Sequence, residues 1–385
     1  MTSPADSSEA LADYRPALRP GVLISGALLH GPATVHLIKD TDSGRSFKVG
    51  AKEHFLIVRM DGTRSPTEIG EEYARKYGRR LADAHWQQIL RMLGTRRLLA
   101  GSPVPETPSG TTPEAASTPM SPAVRAEPAR GVLRGSIRLV ADANATAGRL
   151  HRAVGFLMSP GWFVPLLVMV VAMETIVAFR VGELLLAVRE VFTNPVLLTA
   201  AATLLWLSTA LHELAHGVVA RHYGGTVTEI GLRWRLPVVI MYCTVDNYPY
   251  LPTRWQRIAT ALAGALMNLV FLLPFCALWL FVPVDDATHN ALSALLLLGS
   301  VQAFAMLVPV PPLDGYKIVS QAFGATELAA SSGQYLRLVA RRDPAAAGYP
   351  RRARIAYTAY GLGSLLILGA LAAAAVASAH HLLTA

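Results

Sequence analysis

The sequence predicts a multi-pass α-helical membrane protein of about five spans with a small N-terminal α+β, winged-helix-like domain. Three observations predict it. The 385 residues are 52% hydrophobic and only 16% charged, against roughly 25% charged residues in soluble domains. The apolar residues gather in long runs after about residue 155, while the preceding part is mixed and polar. Basic residues flank the apolar runs: Arg134, Arg138, Arg149 and Arg152, then Arg254 and Arg257, then Arg351, Arg352 and Arg354. Charge so placed orients a chain in the bilayer and meets anionic headgroups. The formal net charge of +9 is therefore read as membrane-directed, and no nucleic-acid partner is expected. Cys243 and Cys276 provide neither a disulfide framework nor a metal-ligand spacing. The opening MTSPADSSEALADY has no basic start and no apolar core, unlike a signal peptide, so the N-terminal domain is expected in the cytoplasm.

Residues 1–26 read as a polar tail, and 27–101 as a compact domain. His36–Asp40 and Arg45–Val49 flank the turn Thr41-Asp42-Ser43-Gly44, which predicts a β-hairpin. Phe55, Leu56, Val58 and Met60 predict a short buried helix ending at Asp61-Gly62. Ser65-Pro66-Thr67-Glu68 has the form of a helix start, with Ser65 as cap and Pro66 in the first turn. A further helix carries Trp86, Ile89, Leu90 and Leu93, followed by Leu98-Leu99. Residues 102–130 hold Pro103, Pro105, Pro108, Pro113, Pro119, Pro122 and Pro128 among Ser, Thr, Ala and Glu. Such a stretch cannot bury a core and is expected to be a disordered tether. Residues 131–158 predict a basic amphipathic helix on the membrane surface, and 159–385 the membrane domain.

The expected spans are about 161–179, 196–217, 258–282, 290–308 and 355–378, each near the roughly 20 residues a bilayer requires. The 218–257 and 309–354 connections are rich in Arg, whereas 283–289 holds Asp285 and Asp286 and no Lys or Arg. Positive connections stay inside. Both basic loops are then cytoplasmic and the C-terminal end outside. In 180–193 the charges of Arg180, Glu183, Arg189 and Glu190 cancel, and the side of that segment stays open.

His212-Glu213-Leu214-Ala215-His216 is the sharpest signal in the chain. Residues four apart lie on one helix face, so both imidazoles can bind one zinc ion. Glu213, next to the first ligand, is placed to take a proton from a water at the metal. The motif ends an apolar run through Leu204, Leu205, Trp206 and Leu207, and ionisable groups at bilayer depth are costly unless they serve a function. A hydrolytic zinc normally has three protein ligands. Asp314, in Leu307-Val308-Pro309-Val310-Pro311-Pro312-Leu313-Asp314-Gly315, follows the fourth span and is the candidate third ligand, with Asp246 as an alternative. The 233–255 region, with Trp234, Pro237, Tyr242, Thr244 and Trp255, is expected to form a re-entrant or sheet-like segment presenting an extended substrate.

With these motifs the chain resembles the site-2 protease group of membrane zinc metallopeptidases over about residues 160–385. That family carries HExxH on one transmembrane helix and Asn-x-x-Pro…Leu-Asp-Gly on a later one; here these read His212–His216 and Pro309…Leu313-Asp314-Gly315. A third motif, Ala-Gly-Pro-x-x-Asn, reads Ala263-Gly264-Ala265-Leu266-Met267-Asn268. The resemblance implies one zinc per chain on His212, His216 and Asp314, Glu213 as catalytic base, and Asn268 as a substrate-positioning residue. Ala265 and Met306 depart from the family's Pro and Asn, and Met306 cannot hydrogen-bond a substrate backbone as Asn does.

The 27–101 domain resembles the PqqD-like leader-peptide recognition modules of ribosomal peptide biosynthesis. The resemblance lies in the hairpin, the stretch Phe55-Leu56…Met60-Asp61-Gly62-Thr63-Arg64-Ser65, Tyr77-Gly78 and Leu98-Leu99. The two resemblances together imply a maturation endopeptidase that removes the leader of a ribosomally made precursor peptide, as in daptide-type clusters. Two other readings stand beside it: regulated intramembrane proteolysis of a transmembrane signalling protein, and a non-catalytic membrane zinc protein. The expected partners are a precursor peptide or membrane-protein substrate and the lipid bilayer of the cell membrane.

Overall fold

The computed structural model describes residues 14–100, 134–235 and 238–384. The expected tether, the first half of the expected tail and Pro237 lie outside the described residues. The chain divides into two compact units, Met1–Ala126 and Glu127–Ala385.

The N-terminal unit is built on a four-stranded antiparallel sheet. Strands β1 (Val22–Ile24) and β2 (Leu28–His30) share one edge of β3 (Ala33–Asp40). Strand β4 (Ser46–Gly50) pairs along the other, with Ile38 opposite Phe47 and His36 opposite Val49, which is the expected hairpin. The reading of 1–26 as a tail is corrected for its second half by β1 and by the bridges Ala17–Asp61 and Leu18–Leu99, which weave residues 17–24 into the unit. A three-residue strand has no periodicity to reveal it; it forms because β3 has an edge to fill. Helices α1 (Ala51–Ile57), α2 (Pro66–Tyr77) and α3 (Asp83–Thr95) form one core with the sheet. Ile38, Leu56, Ile57, Met60, Ile69, Leu93 and Leu98 are buried at its centre. Helix α2 opens on a capping box: Glu68 N–H donates to Ser65 Oγ (3.3 Å) and Ser65 N–H to Glu68 Oε2 (2.8 Å).

The second unit begins with a strand, β5 (Arg134–Arg138), then α4 (Ala143–Val154) and a short 3₁₀ turn over Gly155–Met158. The expectation of one surface helix over 131–158 is thus corrected: its first part pairs antiparallel with a strand nearly a hundred residues away, Arg134 opposite Arg235. Helix α5 (Pro160–Phe179) follows, then α6 (Val181–Thr193) and α7 (Pro195–His222). The hairpin β6 (Val227–Arg235) and β7 (Val238–Val245) completes a three-stranded sheet in the order β5-β6-β7. Helices α8 (Arg254–Phe281), α9 (Asp286–Met306), α10 (Asp314–Phe323), α11 (Leu328–Ala340) and α12 (Arg351–Thr384) end the chain.

Helices α5, α7, α8, α9 and α12 are each long and apolar enough to cross a membrane. The protein is therefore a multi-pass helical membrane protein with a small N-terminal α+β unit. The bundle core is apolar, around Leu184, Val191, Leu272, Ala294, Leu295 and Leu296. Its outside is apolar as well: Phe179, Val196, Phe281 and Leu366 are exposed, a surface suited to lipid tails rather than water. Helix α6 has 13 residues, about 20 Å, too short to span. Its Leu184, Ala187, Val188 and Val191 are buried, and its polar side meets the first turns of α9, where Asn290 Nδ2 donates to Glu190. The 180–193 segment thus lies at the end of the bundle that holds Asp285 and Asp286.

Candidate metal centre

The centre is assembled by three helices. Helix α7 presents His212, Glu213 and His216, α8 walls them from one side, and α10 brings Asp314 at its first position. Asp314 Oδ2 lies 2.9 Å from His212 Nε2 and 3.0 Å from His216 Nε2, and the two Nε2 atoms are 3.2 Å apart. Among the described residues these three form the metal-capable group, and all three are buried. Tetrahedral zinc with ligands near 2.0–2.1 Å needs donors about 3.3 Å apart, so two nitrogens and one oxygen at these distances fit the ion. Asp246, the alternative ligand, is not among the converging donors.

Each donor is held by a partner behind it. His216 Nδ1 is 2.7 Å from the Thr260 carbonyl of α8. Donation to that carbonyl fixes the tautomer whose Nε2 lone pair faces the other donors. His212 Nδ1 is 3.2 Å from the Asn268 amide, which also meets Ser208 Oγ at 3.0 Å. Ser208 Oγ donates to the amide oxygen and the amide nitrogen faces Nδ1. Turning the amide about its terminal bond puts the oxygen toward the ring, where it accepts from Nδ1 and leaves His212 Nε2 free for a metal. Asn268 is 1% exposed. The structure thus places this predicted substrate-positioning residue behind a histidine, where its contacts orient the imidazole. Lys317 Nζ donates to Asp314 Oδ1 at 2.7 Å from one turn along α10, leaving Oδ2 for the metal side. Burial works to raise the Asp314 pKa, but the neighbouring His212 and His216 and the charge of Lys317 hold it well below the carboxylate range.

Close backbone approaches shape the rest. A Cβ on Gly264 would lie 2.5 Å from His212 Cε1 and 2.6 Å from His216 Nε2, so α8 can pass the imidazole pair only without a side chain there. A Cβ on Gly217 would meet Cys243 Sγ at 2.7 Å, which lets β7 lie against α7. From that strand, Cys243 N–H donates to Glu213 Oε2 at 3.2 Å and ties the carboxylate to β7. Burial, and then the charge of Glu213, push the Cys243 thiol up to about 12. Farther along, Trp206 Nε1 donates to Val239 O at 2.8 Å. Gln302 Nε2 of α9 donates to Thr209 Oγ1 of α7 at 2.8 Å, four positions before Met306.

Sequence reasoning missed Thr260, Ser208, Lys317, Cys243 and Gln302. Thr260 and Cys243 act through backbone atoms, which carry no side-chain signal. Lys317 could have been found as an i+3 partner of Asp314 on a helix.

Residues 200–295 match the model of peptidase family M50. A zinc metalloprotease of Methanocaldococcus jannaschii is 27% identical over 159 residues, covering 39% of this chain and 44% of that relative, under half its length. No solved structure matches the chain significantly. The family match contains His212, Glu213, His216, Gly264 and Asn268 and stops within α9, before Asp314.

Proposed function

We propose that the protein is a membrane-embedded zinc endopeptidase. The observation that carries the reading is the convergence of two imidazole nitrogens with a carboxylate 98 residues beyond His216. The family match and the similarity to a named zinc metalloprotease support it. His212, His216 and Asp314 would hold one zinc ion, which when bound would supply Lewis-acid activation of water and of the scissile carbonyl. Glu213 takes the proton from the attacking water and returns it to the leaving amine nitrogen. The Cys243 N–H keeps that carboxylate aimed at the site.

Strand β7 supports an extended substrate. Its Val239 carbonyl and Cys243 N–H both bond to α7 side chains and so point away from β6. By the alternation of strands, the N–H and C=O of Met241, midway between them, face the same open edge. A substrate backbone laid along that edge pairs with Met241 and passes Glu213.

Helix α7 rises about 1.5 Å per residue, so His212 sits about 26 Å beyond Pro195, toward the far side of a hydrocarbon core about 30 Å thick. The basic 218–257 and 309–354 loops put that side in the cytoplasm of the cell membrane, together with the N-terminal unit. The substrate we favour is a ribosomally made precursor whose leader is captured by the N-terminal unit and removed at the metal centre. The test is cleavage of candidate precursors by the purified protein, its Glu213→Gln form and a form lacking 1–101. Glu213→Gln should lower cleavage by roughly 10²–10⁴-fold with zinc content unchanged; unaltered cleavage would refute the mechanism. Undiminished cleavage without 1–101 would remove leader capture and leave the peptidase reading in place.

A further inference from the structure

A second polar cavity lies outside the metal centre. Between α4 and the end of α7 there is a cleft of about 700 Å³ lined by Arg149, Arg152, Arg221, His151 and His222, with Asp142 at one end. Asp142 is engaged as the cap of α4, where its Oδ1 accepts from Ala145 N–H at 2.8 Å. Among the described residues, no carboxylate stands within ion-pair distance of the three guanidiniums. Arg149 reaches only Thr146 Oγ1 at 3.1 Å, and Arg221 only the Gly225 carbonyl at 3.5 Å. His151 Nε2 lies 3.1 Å from His222 Nδ1 and joins the two walls of the cleft.

The place of the cleft is set by α7. Arg221 is about 39 Å along the helix from Pro195, beyond a hydrocarbon core about 30 Å thick and so at headgroup level. Phe156 and Trp162, exposed and edge to face at 5.6 Å, stand on the same segment one to three turns after His151. Aromatic side chains of that kind mark the membrane–water boundary. Three arginines lining one cleft at that depth, with no carboxylate partner among the described residues, match a phosphate, which Arg binds bidentately.

We propose that this cleft binds the phosphate headgroup of an anionic phospholipid. The site is built, beyond the general excess of positive charge at this face. Gly148 lies on the α4 wall, and a Cβ there would meet Arg221 Nε at 3.8 Å, an ordinary contact. A larger side chain at 148 therefore fills the cleft without removing a charge or straining the helix. The bound headgroup would tie α4 to α7, and α4 also packs on β6 through Ala143, Ala147, Val227 and Ile230.

The test is retention of phosphatidylglycerol against phosphatidylcholine by the full-length protein in detergent, read by native mass spectrometry. The protein should hold one phosphatidylglycerol in preference. The triple variant Arg149→Ser, Arg152→Ser, Arg221→Ser should bind it roughly a hundredfold more weakly. Gly148→Leu, with every charge kept, should lose the preference as well. If Gly148→Leu binds like the unaltered protein while the triple variant fails, the attraction is diffuse surface charge and the site does not exist. If inorganic phosphate displaces the lipid at equal concentration, the ligand is a free anion and the lipid assignment falls.

Discussion

The polar turns at Asp40 and Ser65 in the N-terminal unit find their partners close by in the chain, whereas the contacts that join the helices of the metal centre reach far along it. Asp40 accepts from Ser43 Oγ, Ser43 N–H and Asp42 N–H, all within three residues, and Ser65 exchanges bonds with Glu68. At the metal centre the corresponding separations are 44 residues for His216 with Thr260, 56 for Asn268 with His212, and 98 for His216 with Asp314. A local cap forms as soon as its own turn does. The metal centre exists only once α7, α8 and α10 are packed together. Metal affinity should therefore report the packing of the whole bundle, while the polar turns of the N-terminal unit answer only to their immediate surroundings.

Gly264→Ala tests that contrast most severely, since it adds one methyl group to the α8 wall and removes no ligand. The Cβ would sit 2.5–2.6 Å from both imidazoles, so the rings must move. Zinc affinity, measured by competition with a chelator, should fall roughly a hundredfold, and cleavage with it; unchanged affinity would show that the wall does not shape the site. Lys317→Met should act less, because it takes one hydrogen bond from the outer oxygen of Asp314 and leaves both histidines in place. A loss of about tenfold in zinc affinity is expected, and no loss would make Lys317 a bystander.

The smallest effect is expected in the N-terminal unit, from protons. The His54 ring stacks on His36 at 3.4 Å. Burial, then the charges of His36, Arg59 and Lys76, lower the His54 pKa from 6.5 to about 4. The unfolded chain takes up this proton first as pH falls. The stability that depends on neutral His54 is thus complete above about 6.5 and is lost progressively as pH falls toward 4. Hydrogen exchange at α1, corrected for intrinsic rates, should show protection declining over that window. His54→Asn should flatten the decline; the same slope in both proteins would place the titrating group elsewhere.

The same difference in reach explains what could be read from the sequence. The start of α2 was legible because Ser65, Pro66 and Glu68 carry the whole cap within four positions. The HELAH pair was legible because helical periodicity places i and i+4 together, and Asp314 because a Pro-rich, non-helical stretch ending in Asp at membrane depth is hard to explain otherwise. Strand β5 was not, since it depends on β6 far along the chain and reads locally as a basic amphipathic stretch. Strand β1 was hidden by its three-residue length. Asn268 was visible as a polar residue in an apolar helix, but its direction depends on how α8 lies against α7, which no local pattern encodes. The second role of Cys243, through its backbone N–H, leaves no trace in residue type.

The proposed chemistry requires one metal held by donors from α7 and α10, and zinc-edge X-ray absorption of the zinc-loaded protein tests this directly. The spectrum should report one zinc per chain with two imidazole nitrogens and a carboxylate oxygen at about 2.0–2.1 Å, and Asp314→Ala should lose the bound ion. A spectrum with a sulfur ligand, or zinc retained in full by Asp314→Ala, would contradict the centre described for this protein.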